Sequence, residues 1–230
     1  MVFLVVALLS PTAVALTNLT VNGDFESPSA PGFVTFNAPS NFLGWRVTNG
    51  GVDVVADNFY APASGHQSLD LNSVASGSVF QDVATNFGQA YLFVFSFAAN
   101  PLPDNPAFPS PAIKIMEARW NGTVLGTFVQ DTTGHTASNV GWLDYAFGVF
   151  GTGVDRITFT SLTVGSAGPA IDNIRLWVVP EPSTFVLLSG SITLRLLVRR
   201  GCQLVTLPVL ARRISPQSGH EQNLNRDYPQ

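Results

Sequence analysis

Between residues 52 and 178 the chain alternates apolar and polar side chains, in runs of four to eight residues. That period of two predicts strands at 52–55, 67–71, 79–83, 91–98, 113–120, 124–129, 142–149, 156–162 and 171–178. Gly, Pro, Asn and Asp clusters separate the runs, and none carries a sustained 3.6-residue period. Many short strands with turn signals between them predict an all-β sandwich. Asn121-Gly122 and Asn49-Gly50-Gly51 read as hairpin turns. The segment from Tyr91 to Phe97 is apolar on both parities. It reads as a central strand covered on each side, or one crossing a sheet edge. Residues 100–111 hold five prolines and read as an irregular surface loop.

Composition supports a packed domain. Charged residues make up 11% of the chain, and phenylalanine alone numbers 17. The single cysteine, Cys202, lies outside the strand-rich part, which therefore has no disulfide. Residues 17–178 carry twelve carboxylates against five basic side chains, with Lys114 the one lysine. An acidic surface repels phosphate backbones, so a nucleic-acid partner is excluded as an expectation.

The two ends have a different texture. Residues 1–16 hold no charge, residues 2–9 are apolar throughout, and Ala13-Val14-Ala15 offers a small-x-small cleavage pattern. Residues 1–15 read as a signal peptide. Past 178 comes Pro180-Glu181-Pro182, then an apolar run over 185–198, then Arg199-Arg200. A rigid break, a short greasy helix and a basic stop describe a membrane-sorting tail. A helix over 183–198 would be ~24 Å long, slightly short of a ~30 Å hydrocarbon core. Arg195, near its cytoplasmic end, can snorkel outward. Four segments follow: signal peptide 1–15, β-sandwich 16–178, sorting segment 179–200, and an unstructured tail 201–230.

Chemistry is thin. His66 and His135 sit in Gly- and Ser-rich loops without a cysteine cluster, and Gly65-His66-Gln67-Ser68 lacks a nucleophile elbow. Trp45 and Trp142 each follow a glycine in apolar surroundings and read as core anchors. Trp177 falls on the outward parity of the last strand, and Tyr60 lies in a loop. These two are the expected exposed platforms for a sugar ring. On that strand Asp172 shares parity with Ile174 and Leu176, which directs its carboxylate inward, where it needs a partner.

Several segments together carry a family resemblance. They are Asn18-Leu19-Thr20-Val21-Asn22-Gly23-Asp24-Phe25-Glu26, Gly44-Trp45, and Ser64-Gly65-His66-Gln67-Ser68-Leu69-Asp70-Leu71. Further on come Gln81-Asp82-Val83, Phe95-Ser96-Phe97-Ala98-Ala99-Asn100-Pro101, Gly141-Trp142, and Gly168-Pro169-Ala170-Ile171-Asp172-Asn173-Ile174. Their order resembles the choice-of-anchor C family of exported bacterial proteins. The tail at Pro180, Glu181, Pro182, Arg199 and Arg200 resembles the PEP-CTERM signal, read by a membrane protease called exosortase. The resemblance implies a jelly-roll β-sandwich similar to galactose-binding-like and carbohydrate-binding modules. It implies secretion or surface display, with a transient anchor in the inner membrane through the C-terminal apolar helix. It implies a structural calcium ion held by Glu26 and Asp172, with Asp24 as helper and carbonyls of the 64–68 loop completing the oxygen shell. The function it implies is a non-catalytic partner of extracellular polysaccharide. The alternatives are a structural or adhesive surface protein without a sugar site, and a polysaccharide hydrolase.

Overall fold

The computed structural model describes residues 17–180, except 104. The predicted signal peptide, the apolar helix, the tail 201–230 and the sorting residues Glu181, Pro182, Arg199 and Arg200 lie outside the described residues. Pro180 is described, at the exposed end of the last strand.

Twelve strands form, in chain order β1 (Phe33–Asn37), β2 (Ser40–Phe42), β3 (Trp45–Asn49), β4 (Gly51–Ala56), β5 (Gln67–Asp70) and β6 (Ser78–Ala84). They continue with β7 (Ala90–Ala99), β8 (Ile113–Trp120), β9 (Thr123–Asp131), β10 (Leu143–Phe150), β11 (Val154–Ser161) and β12 (Pro169–Val178). One sheet has the order β1-β4-β5-β12-β7-β10 and the other β2-β3-β6-β11-β8-β9. Every described pairing is antiparallel. All nine expected strands are present. β1, β2 and β3 were not anticipated. β1 buries neither parity fully and β2 is three residues long, so neither leaves a clear period in the sequence.

The inner faces meet in one core. Val52, Val54, Leu69, Leu71, Phe93, Phe95 and Phe97 face Val47, Val79, Met116, Ile157 and Phe159. Phe95 packs edge-on against Phe159 at 5.0 Å and against Phe128 at 5.2 Å. Each such ring contributes roughly 1.5–3 kcal/mol of burial. Trp45 lies in this core, as expected, against Phe25 at 5.6 Å. Trp142 does not. It is half-buried against a second, smaller cluster on the outer face of the first sheet. The Gly141 turn before it gave the same local signature as Gly44, but its strand belongs to a sheet edge.

Two other expectations change. β7 is next to the edge strand β10, and its outer parity is open at Leu92 and half-open at Val94. Only its far end, from Ser96, is covered on both sides. Asn121 and Gly122 both have positive φ (49° and 80°) and close the β8–β9 hairpin, as the sequence indicates. Asn49-Gly50-Gly51 instead carries the chain from the second sheet to the first.

The most consequential departure is on β12. Asp172 pairs with Ser96 and Arg175 with Val94, so Asn173 and Ile174 together oppose Phe95. Asn173 takes φ of 54°, and the strand bulges there. The bulge reverses the parity. Ile171 and Ile174 face the core, while Asp172 joins Ser96 on the outer face. The N-terminal segment is laced to this bulge. Thr20 Oγ1 donates to the Ile174 carbonyl at 2.7 Å, and Ile174 N donates to the Gly23 carbonyl at 2.8 Å. A Cβ at Gly23 would lie 2.0 Å from the Ile174 oxygen, so only glycine permits this approach.

Candidate functional site

The outer face of the first sheet is where the polar chemistry collects. Strand alternation brings Thr35, Asp53, Asp70, Asp172, Ser96, Asp144, Arg175 and Trp177 to that one face. Loops 57–66 and 132–142 meet over its middle, through Ala61 N donating to Ala137 O at 2.7 Å and Trp142 Nε1 to Ala61 O at 2.9 Å. Tyr60, Val55, Ala98, Val140 and Ala170 form the apolar base of this ridge. A depression lies on each side of it.

The larger is a cleft of about 430 Å³. Phe33 and Phe59 form one wall, edge to face at 5.6 Å and exposed by 55% and 40%. Leu102, Pro103 and Asn105 from the proline-rich loop contribute the other. Asp53 and Asp70 line it directly across from one another on β4 and β5. Their situations differ. Asp70 is 1% exposed and accepts from Asn72 N at 2.8 Å, Asn100 Nδ2 at 2.6 Å and Gly168 N at 3.1 Å. These donors join three segments at one carboxyl. Burial nevertheless raises it from 3.8 to about 7, with a smaller push from the Asp53 charge. Asp53 is half-buried. Burial raises it, and Thr35 Oγ1, donating to Oδ1 at 2.6 Å, opposes the shift. Its Oδ2 has no partner among the described residues.

The smaller depression, about 270 Å³, is lined by Trp177, Arg175, Asn173, Asp144, Ser96 and Val94 among others. Ser96 Oγ donates to Asp144 at 2.6 Å, and the Arg175 guanidinium lies 5.9 Å from the Trp177 ring centre while donating to Asn173 Oδ1 at 3.0 Å. An aromatic ring, a cation and a carboxylate line one shallow groove.

Of the two expected platforms, Trp177 is half-buried and lines this groove. Tyr60 is not a platform. It is 1% exposed beneath the ridge, with Ser68 Oγ donating to its hydroxyl at 3.3 Å. Burial holds its hydroxyl well above the usual phenol range. The loop turns its preceding residue outward instead, so Phe59 takes the exposed position. Reading Phe33, Phe59 and Asp53 from sequence required strand β1 and the β4–β5 register. The only local signal was an aromatic pair in a loop.

Glu26 and Asp172 both bind the loop over residues 63–67. Glu26 Oε1 accepts from His66 N at 2.7 Å and Gln67 N at 3.0 Å. Asp172 accepts from Ser64 N at 2.9 Å and from Asn173 N at 2.6 Å. Burial raises Asp172 from 3.8 to about 7, and the nearby charge of exposed Asp24 adds a little. These are hard oxygen donors, the right type for calcium. Among the described residues, however, no three acidic or imidazole side chains converge as a preformed metal site. His66 pairs with Asp57 at 2.8 Å.

The fold and this face define a two-sheet β-sandwich that presents a ligand-sized cleft on one outer surface. The sequence profile of the family described as "Protein of unknown function (DUF642)" matches residues 18–177, and the chain belongs to that family. No curated protein matches it. Among solved structures it is similar to a family 35 carbohydrate binding module from Clostridium thermocellum, at 16% identity over 63% of this chain and 97% of that one, with a TM-score of 0.40. CBM35 from Paenibacillus barcinonensis is 19% identical over 62% of this chain and 97% of that one, TM-score 0.38. TmCBM61 in complex with beta-1,4-galactotriose is 15% identical over 71% and 99%, TM-score 0.41.

Proposed function

We propose that the domain binds polysaccharide on the outer face of its first sheet, in the cleft between Phe33–Phe59 and the proline-rich loop. The observation that carries this reading is the pairing of two exposed rings with a carboxylate oxygen that has no partner among the described residues. A sugar presents an apolar C–H face and a rim of hydroxyl donors. Phe59 and Phe33 suit the first, and Asp53 Oδ2 suits the second. Asp70 holds the floor rigid. Trp177, Arg175 and Asp144 offer a second contact across the ridge. Asp70 is enclosed by N–H donors, so among the described residues the cleft presents one accessible carboxylate rather than the facing pair that glycoside hydrolysis needs. Binding is therefore favoured over cleavage.

The setting we propose is extracellular. Residues 1–15 direct export, the run over 185–198 tethers the chain in the inner membrane, and an exosortase-type protease acts near Pro180-Glu181-Pro182, as in choice-of-anchor C proteins. A calcium ion is proposed at the 63–67 loop, with Glu26 and Asp172 as ligands and Asp24 nearby. Its role is to neutralise buried carboxylate charge and lock that loop under the ridge.

A glycan array probed with the full chain, with Phe59→Ala and with Asp53→Asn tests the proposal. Wild type should retain one class of polysaccharide. Each variant should lose roughly ten-fold or more in affinity while circular dichroism shows the same folded β-sandwich, since Phe59 is exposed and Asp53 is only half-buried. Equal retention by wild type and both variants would move the site elsewhere, and no retention at all would leave the structural or adhesive reading.

A further inference from the structure

One end of the sandwich exposes a group of large apolar side chains directly beside the point where the chain leaves the domain. β6 ends at Ala84 and β7 begins at Ala90, and the loop between them carries Phe87, which is 87% exposed. β10 ends at Phe150, 68% exposed, and β11 begins at Val154, 69% exposed. Thr85 N donates to Gly153 O at 2.8 Å and Gly88 N to Gly151 O at 2.9 Å, so the two loops lie against each other. Trp120 Nε1 donates to Phe150 O at 3.2 Å and Asn121 N to Arg156 O at 2.9 Å, which brings the β8–β9 turn alongside. Loops 85–89, 121–122 and 151–153 contain no Asp, Glu, Lys or Arg. The carboxylate beneath them, Asp155, is fully buried and held by Thr85, Asn121 and Thr152, and the one cation that reaches them, Arg119, donates to the Gly122 carbonyl at 3.1 Å.

Large exposed apolar side chains gathered at one place mark a contact surface. Here the backbone beneath them is hydrogen-bonded, so the side chains are held outward rather than free to fold back. Their neighbours Asn86, Gln89, Asn121 and Thr152 are neutral hydrogen-bonding groups, the kind that tolerate a headgroup layer. The exit of the chain lies at the same end. Val179 N donates to Ala90 O at 3.0 Å, and Gln89 Nε2 donates to Val179 O at 3.0 Å. Only residues 180–184 then precede the apolar run over 185–198. Five residues reach at most ~18 Å.

We propose that this end is a membrane-contacting tip, with Phe87, Phe150 and Val154 entering the interfacial layer of a phospholipid bilayer. The inference rests on reading the 185–198 run as a membrane tether. A tethered domain would then dock tip-down, which leaves the cleft on its side wall open to polymer rather than pressed on the membrane.

The test uses the full chain with Cys202→Ser and one new cysteine, Phe87→Cys or Val164→Cys, each labelled with an environment-sensitive NBD dye. Val164 lies beyond Ser161, at the opposite end of β11, and is also exposed. The chain is reconstituted into vesicles of phosphatidylethanolamine and phosphatidylglycerol, and flotation reports the tether separately. The expected result is at least a three-fold brightening with a blue shift at position 87 and none at 164. A water-like dye at 87 on chains that float with the vesicles overturns the tip while leaving the tether intact. If the chain does not float, the tether reading fails. The dye at 87 still decides: brightening with excess vesicles supports a peripheral tip, and no change overturns it. Brightening without vesicles that grows with protein concentration assigns the surface to a second copy of the chain and also overturns the proposal.

Discussion

Asp70 makes the stability of this domain depend on pH in an unusual direction. Its carboxyl is raised from 3.8 to about 7, first by burial and only slightly by Asp53. A carboxyl raised in the folded state stabilises the fold fully below the unfolded value, near pH 4, and that contribution is lost as pH climbs through about 7. Between those limits the folded chain holds a proton that the unfolded chain has released, so stability falls with rising pH. The full shift corresponds to roughly 4 kcal/mol, and relaxation or water entry around the carboxyl reduces this to about 2 kcal/mol. The opposing groups act elsewhere on the scale. Asp82 is lowered by its Arg156 hydrogen bonds and Asp131 by Thr133. Burial works against Asp155, but hydrogen bonds from Thr152, Thr85 and Asn121 hold it down. Their contributions are present above pH 4 and lost below it. Three groups bend the curve the same way as Asp70: exposed His66, raised by its Asp57 hydrogen bond, and Asp172 and Asp53, both raised by burial. His66→Gln removes the first part, and the Asp70 share is what Asp70→Asn takes away. The assay is urea denaturation followed by Trp fluorescence at pH 5, 6, 7 and 8, in EGTA so that no cation bears on Asp172. The midpoint should fall from pH 5 to pH 8 at constant m. Asp70→Asn should be less stable at pH 5, because both Asp70 oxygens face N–H donors and one would become an amide nitrogen, a cost of roughly 1–3 kcal/mol. It should also flatten the pH slope. A wild-type midpoint that stays level or rises over this range, or a pH slope that Asp70→Asn leaves unchanged, would mean Asp70 is ionised in the fold, its hydrogen bonds outweighing its burial.

Two further outcomes are expected. Gly23→Ala should cost at least 2 kcal/mol in urea denaturation, because its Cβ would meet the Ile174 carbonyl that Thr20 also uses; a change under 0.5 kcal/mol would show that the N-terminal segment is not fixed on β12. Removing calcium with EGTA should lower Tm by several degrees, since a site filled at a hundred times its Kd adds about 2.7 kcal/mol. An unchanged Tm would reduce Glu26 and Asp172 to hydrogen-bond clamps on the 63–67 loop.

The period-two alternation was enough to reveal the class of fold and nine strands, because most of those strands bury one face or both, and burial is written directly into residue type. Trp45 in the core, the Asn121-Gly122 hairpin and the open proline-rich loop are local consequences of the same kind. Gly23, Glu26, Asp70 and Asp172 likewise lie where the chain is most constrained, and all serve contacts that only a few side chains can make.

What residue type alone left undecided was everything set by register and by loops crossing a face. A single bulge at Asn173 moved Asp172 from the core-facing side to the sheet's other face, where it is buried beneath the 63–67 loop, and no periodic reading can see one extra residue. Tyr60 and Phe59 are neighbours of similar character, and which one is buried depends on how loop 57–66 settles over Ser68 and Ala170. The cleft exists because β4 and β5 align Asp53 with Asp70, 17 residues apart in the chain. Such pairings depend on long-range hydrogen bonds and on the shape of neighbouring loops, so they emerge only once both sheets have closed around their core.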